Sequence, residues 1–166
     1  MKGRVVFLGD RVKDGDGNYA IFEELSSSPA AMSSGKFADA YGSMPGNVIE
    51  TADGEQAYPQ AKMSSQTKTW IRLPKYRWPK EWQGMPDPVV IMRQALYGHP
   101  DAGGYWEKHC DTGVRKAGFE PMGECAEWRS CYFNKKTGVL CVIYVDDFKM
   151  ARPEAAVKQA WRDINE

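Results

Sequence analysis

Apolar positions in this chain gather in short β-prone runs separated by turn residues. The strongest run is Val139-Leu140-Cys141-Val142-Ile143-Tyr144, which continues through Val145 into Asp146-Asp147-Phe148. A near-continuous apolar run is what a strand buried on both faces carries. Two adjacent acids at its end repel each other unless a positive charge sits there. A divalent cation would resolve that conflict, whereas a solvated hairpin tip would tolerate it, since Asp is common in turns.

The other elements follow from the same pattern. Arg4 to Gly9 predicts a short strand, and Asp14-Gly15-Asp16-Gly17-Asn18 a hairpin turn. That turn fails as a calcium loop, because the sixth position is Tyr19 and the twelfth Leu25. Ser26-Ser27-Ser28-Pro29 marks a helix start, with Met32, Phe37 and Tyr41 as the apolar positions of a helix over Ala30 to Tyr41. Val48 to Asp53 predicts a strand that also ends in a carboxylate, with a turn and the start of a helix over Gly54 to Tyr58. Trp70 to Leu73 and Val89 to Met92 are further strands. Between them, the Pro-, Trp- and Lys-rich stretch from Tyr76 to Pro88 predicts an irregular loop whose aromatics cover core edges. Asp101 stands where an N-cap is expected for a helix to Ala117, with Trp106, Cys110, Val114 and Ala117 on one face and Gly118 as its stop. A hairpin is expected from Trp128 to Phe133 and Val139 to Tyr144 around Asn134 to Gly138, then a strand from Phe148 to Met150. A last helix begins at Pro153, with Ala156, Ala160 and Ile164 on one face.

The totals narrow this picture without naming a ligand. A chain of 166 residues with 42% hydrophobic residues is long enough for one domain and a sizeable core. Lys plus Arg equal Asp plus Glu at 22 each, so there is no overall basic signature for nucleic acid, although a local basic groove is compatible with that balance. Cys110, Cys125, Cys131 and Cys141 form no C-x-x-C pair, and His99 and His109 complete no zinc pattern; free thiols in a reducing compartment are expected. No stretch approaches the roughly 18 apolar residues of a membrane span.

Two predicted strands therefore end in acids, one at Asp53 and one at Asp146-Asp147, and only a sheet that sets them side by side could unite the carboxylates. Nucleotidyl transfer needs such a union. Two Mg²⁺ ions about 3.5–4 Å apart activate the attacking hydroxyl and stabilise the leaving group, and Mg²⁺ takes oxygen ligands from one or two carboxylates plus substrate phosphates.

Tyr144-Val145-Asp146-Asp147 resembles the Tyr-x-Asp-Asp signature of reverse transcriptases, and the order of motifs is similar to that of copia-type retrotransposon reverse transcriptases. Lys2-Gly3-Arg4-Val5-Val6 matches the family's opening Lys-x-Arg-Leu-Val strand, and Asp53-Gly54-Glu55-Gln56-Ala57-Tyr58 its Asp-Val-x-x-Ala-Phe motif. Ala95-Leu96-Tyr97-Gly98-His99-Pro100-Asp101-Ala102-Gly103-Gly104-Tyr105-Trp106 matches the central Ala-Leu-Tyr-Gly-Leu-Lys-Gln-Ser-Pro-x-x-Trp, followed by Gly118-Phe119.

The resemblance implies an α+β polymerase fingers-palm domain over residues 1–166: an antiparallel sheet backed by helices, without the thumb. It implies an RNA-directed DNA polymerase using two Mg²⁺ ions, or Mn²⁺ in their place, with an RNA or DNA template, a primer and deoxynucleoside triphosphates as partners. Asp53, Asp146 and Asp147 would be the catalytic metal ligands, Asp53 and Asp146 the principal ones. Tyr58 would lie under the incoming sugar, Lys2 and Arg4 would meet the triphosphate, and Tyr144 would lie beside the primer end. Each has a plainer reading, as a core aromatic for Tyr58 and Tyr144 and as a solvated strand end for Lys2 and Arg4.

The central motif departs from the family. Asp101, Ala102 and Gly103 stand where Gln-Ser-Pro is usual near the nascent base pair, so a carboxylate faces a substrate that is already negative. Asp101 would otherwise serve as a helix cap, with Gly103-Gly104 offering backbone contact. Gly54, in place of an apolar residue, is expected to loosen the backbone beside Asp53. By resemblance, a thumb and a ribonuclease H domain would lie downstream in a longer polyprotein, no membrane would be involved, and the location would be intracellular, in a cytoplasmic particle or the nucleus. Two other readings compete. One is a catalytically inactive relic or nucleic-acid-binding palm fragment; the other is a palm-like nucleotidyl enzyme of another kind, such as a cyclase.

Overall fold

The computed structural model describes residues 5–22, 29–64, 68–123 and 125–165. Lys2, Arg4 and Ser26 to Ser28 lie outside them. The described chain is mixed α+β, built on a five-stranded antiparallel sheet of order β1-β7-β6-β5-β4. Its strands are β1 (Val48–Asp53), β4 (Glu120–Pro121), β5 (Cys131–Asn134), β6 (Val139–Tyr144) and β7 (Asp147–Arg152). A second pair joins β2 (Trp70–Ile71) to β3 (Val90–Ile91). The helices among the described residues are α1 (Met32–Gly42), α2 (Ala57–Gln60), α3 (Ala102–Lys116) and α4 (Glu154–Ile164). None of them is long and apolar enough to cross a membrane.

The apolar run of β6 takes the central place in the sheet, and alternation along it splits the core in two. Val139, Cys141 and Ile143 pack with Phe148 and Met150 of β7 against Trp106, Cys110 and Val114 of α3 and Val157 and Ala160 of α4. Leu140 and Val142 face the other way, with Cys131, beneath Ala38 of α1. The sheet is thus a middle layer between α1 on one side and α3 with α4 on the other. Because β6 is covered on both sides, a Leu140→Ala substitution there is expected to cost about 2–5 kcal/mol.

Several predicted elements appear as read. β1 runs over Val48 to Asp53, α3 buries Trp106, Cys110 and Val114, and the last helix follows Pro153. Gly118 ends α3 with φ +84°, the left-handed conformation that only glycine takes without strain. Phe119 N–H then bonds back to the Val114 carbonyl. All four cysteines are free, and burial pushes the Cys110 thiol up to about 12.

Other expectations are corrected. The described part of the Arg4 to Gly9 segment is not a strand: Val5, Val6 and Leu8 are exposed, Phe7 N–H bonds to the Tyr97 carbonyl, and a 3-10 turn covers Gly9–Arg11. In α1 the apolar positions are not the buried ones. Met32 is 79% exposed, while Ser34, Ala38 and Gly42, four residues apart, face the sheet. Small side chains let helix and sheet approach closely, and a Cβ at Gly42 would run into Ile49. β2 and β3 are shorter than predicted, and β4 has no apolar run to announce it. The aromatics after Leu73 do not cover the core: Tyr76 is 82% exposed.

Candidate active site

The sheet register brings the acidic strand ends together. β1 pairs with β7, not β6, and Asp53 lies directly across from Asp147; Asp147 in turn faces Tyr144 of β6. Alternation puts Asp53, Asp147 and Tyr144 on the α1 side of the sheet, beyond the part that α1 covers. Asp53 and Asp147 are exposed, Asp146 is half-buried, and Tyr144 is largely exposed. Tyr144 is therefore not a core aromatic.

Asp146 sits in the two-residue turn between β6 and β7, and this turn is held from behind by other elements. Trp106 of α3 donates its indole N–H to the Val145 carbonyl at 2.6 Å. Gly54 N–H, one residue past Asp53, donates to the Asp146 carbonyl at 2.7 Å. Gly54 was expected to loosen the backbone here, but it does the opposite. A Cβ at that position would lie 3.3 Å from the Asp146 carbonyl and 3.5 Å from both the Phe148 and Trp106 rings, so glycine permits a close approach that locks β1 to the turn. Val145 takes φ 59°, a left-handed conformation that is rare for a β-branched residue and costs energy that the surrounding contacts must offset.

Among the described residues no ion pair reaches Asp53, Asp146 or Asp147. The basic residue on the same face of β7, Lys149, is bonded instead to Asp39 of α1 at 2.8 Å. An all-oxygen donor set on a rigid sheet suits a hard divalent cation in kind. Yet no group of three or more His, Cys, Asp or Glu side chains is gathered to hold a metal among the described residues.

Tyr58, on the short α2, lies against this corner. Its ring packs on Tyr97 with centroids 4.6 Å apart. Burial, then the negative charge of Asp146, and then Tyr97, hold its hydroxyl above the ordinary range. Tyr58 is half-buried and touches both clusters beside it, so it bridges core and site.

In the central motif, the expected capping role of Asp101 is corrected. Asp101 occupies the N-cap position of α3 but its side chain makes no capping bond, and its Oδ1 is buried without a partner. Its backbone N–H donates to His99 Nδ1 at 3.1 Å, which leaves Nε2 to carry the proton and donate to Thr69 Oγ1 at 3.1 Å. Burial lowers the affinity of His99 for a proton, against the opposing charge of Asp101, and the ring lies between Phe7 and Phe22. Gly103 lines a small cleft with Trp106, Ser130 and Val145, behind the acidic turn.

Two supports of this corner had no reading as site residues. Trp106 counted only as a core position, although a buried indole N–H must find an acceptor and so signals a specific partner. Tyr97, inside the central motif, packs its ring on that of Tyr58 at a tilt of 50°. Comparison with family models, with curated proteins and with solved structures finds no match for this chain.

Proposed function

We propose that the corner formed by β1, α2 and the β6–β7 turn is a metal-dependent nucleotidyl-transfer site. The observation that carries this reading is the meeting of two acidic strand ends, Asp53 and Asp146-Asp147, on a buttressed sheet edge where no ion pair reaches them among the described residues. Uncompensated, three carboxylates so placed destabilise one another; a divalent cation turns the same arrangement into a binding site. Asp53 with Asp146 or Asp147 would hold it, and when bound it would supply charge stabilisation to a phosphoryl centre. The chain itself keeps the turn fixed through Trp106 and Gly54, and presents the ring of Tyr58 beside the acids.

Within that class, the ordered motifs favour the RNA-directed DNA polymerase of a copia-type retrotransposon, in which these residues belong to the palm. The substrates would be a template-primer and a deoxynucleoside triphosphate, with in-line attack by the primer 3′-hydroxyl. The test is primer extension on an RNA template with Mg²⁺ or Mn²⁺, using the chain joined to a copia-type thumb segment. Extension that disappears in both Asp53→Asn and Asp146→Asn supports the reading.

The alternative is an inactive palm that still holds nucleic acid. Two observations favour it: the absence of a gathered three-acid cluster among the described residues, and the buried, unpartnered Oδ1 of the half-buried Asp101. Wild type and both variants equally inert, with template-primer still bound, would select it. Conversion of a nucleotide without any template would instead point to a cyclase-like enzyme.

A further inference from the structure

The segment after β2 carries a short tandem pattern, Pro74-Lys75-Tyr76-Arg77-Trp78 followed by Pro79-Lys80-Glu81-Trp82. Each copy folds alike. Proline precedes a 3-10 turn, Lys75–Arg77 in the first and Lys80–Trp82 in the second. The turns are closed by Arg77 N–H to the Pro74 carbonyl and Trp82 N–H to the Pro79 carbonyl. The two tryptophans meet edge to face at 6.4 Å, and Trp78 donates its indole N–H to the Leu73 carbonyl. The segment is therefore ordered by its own contacts, although it contributes no buried residue.

What it displays is unusual for a chain of zero net charge. Lys75, Arg77 and Lys80 are exposed and have no carboxylate partner among the described residues. Arg72, by contrast, is taken up by Asp87, in a two-pronged pair at 2.5 and 2.6 Å. Tyr76 holds its ring out at 82% exposure, with the Arg77 guanidinium 5.7 Å from its centre, and the Lys75 ammonium lies 5.9 Å from the Trp78 ring. An exposed ring set among cations that form no ion pair among the described residues is what a single-stranded nucleic acid requires: a π-face for an unstacked base and a positive charge for the phosphate beside it. An acidic peptide would satisfy the cations but would leave the Tyr76 face unused.

We propose that Pro74 to Trp82 is a docking platform for single-stranded RNA or DNA, with Tyr76 stacking on a base and Lys75, Arg77 and Lys80 meeting phosphates. It is separate from the acidic corner and does not rest on the metal chemistry proposed there.

The test is fluorescence anisotropy of labelled oligo(U) and oligo(dT) 12-mers, with a 12-mer duplex for comparison, over a salt series. Single strands are expected to bind more tightly than the duplex, whose bases are already stacked. Three phosphate contacts give a log–log salt slope of about −2. Tyr76→Ala is expected to weaken binding about 5- to 150-fold with the slope unchanged, and Tyr76→Phe to restore it. Lys75→Glu with Arg77→Glu is expected to flatten the slope by about 1.4. All these side chains are exposed, so an unchanged melting curve checks the fold.

Oligonucleotide binding indifferent to all these variants would overturn the platform. So would binding that responds to the charge reversals but not to Tyr76→Ala, which is plain polyanion attraction. Failure of both oligonucleotides to bind while polyglutamate does would assign the surface to an acidic protein. Primer extension and metal-dependent melting read the acidic corner without the Tyr76, Lys75 and Arg77 variants, so the platform and the polymerase reading fail separately. RNA against DNA preference is read from the two 12-mers.

Discussion

The strand β6 is flanked by two tight turns, and they are built on opposite terms. The turn over Asn134 to Gly138 is made of residues that suit it. Asn134 accepts hydrogen bonds on Oδ1 from Lys136 and Thr137 N–H, and Gly138 takes φ +70° at no steric cost. Its Lys135 is paired with Glu120. The turn over Val145 and Asp146 violates each of these rules. A β-branched residue takes φ 59°, and two acids stand side by side with no ion pair among the described residues, while Trp106 and Gly54 hold the two turn carbonyls. The first turn is made of residues that suit it and is then fastened by Tyr41, which donates to the Gly138 carbonyl, and by Arg152, which donates to the Thr137 carbonyl. The other is imposed by the rest of the protein, and conflict of that kind concentrates at functional sites.

Breaking the acidic turn's hidden compensation is expected to have the largest effect. If a divalent cation balances the carboxylates, Mg²⁺ or Mn²⁺ at a hundred times its dissociation constant stabilises the wild type by about 2.7 kcal/mol. Asp53→Asn and Asp146→Asn are expected to lose that stabilisation. Thermal melting with and without chelator measures it; a wild-type curve indifferent to metal would leave the acids as a solvated tip. Next comes Trp106→Phe, which keeps the ring but orphans the Val145 carbonyl. A loss of about 1–3 kcal/mol in urea unfolding is expected.

Exchanging the turns' residues sharpens the contrast further. Gly138→Val puts a β-branched residue into a left-handed position, and its Cβ would meet the Arg152 guanidinium at 2.7 Å. Destabilisation by about 1–2 kcal/mol is expected from the same unfolding measurement. Val145→Gly removes the strain from the acidic turn and is the smallest change. It is expected to stabilise the fold by about 0.5–1 kcal/mol, after allowing for the entropy of glycine. Loss of stability there would mean that the Val145 side chain, not the backbone, holds the turn.

Long apolar runs made much of the sheet readable in advance. β1, β6 and β7 follow from their side chains, and α3 from the four-residue spacing of Trp106, Cys110 and Val114. The mixed spacing of Met32, Phe37 and Tyr41 left the face of α1 unassigned, because its buried positions, Ser34, Ala38 and Gly42, are small rather than apolar, and close approach selects size over hydrophobicity. The aromatics of the Pro74 to Trp82 segment were misread for the converse reason: composition signals burial, yet no core surface lies within their reach. The acids were visible as strand ends, but that Asp53 would face Asp147 depends on β1 pairing with β7, a long-range choice that no local pattern encodes. The bonds from Trp106 and Gly54 to the turn are equally tertiary.

The pairing of β1 with β7 also sets a clock on assembly. During synthesis from the N-terminus, Asp53 leaves the ribosome long before Asp147, and the strand that positions it has no sheet partner until β7 arrives. The entropy of closing so large a loop grows only slowly with its length, but the contact cannot form early. Folding is therefore expected to be slow and late, with the β6–β7 hairpin as the local nucleus and β1 joining last. Until then β1 is an unpaired strand on a nascent chain, the stage at which edge-to-edge aggregation competes with folding. Of all the contacts in the protein, the acidic corner is among the last to exist.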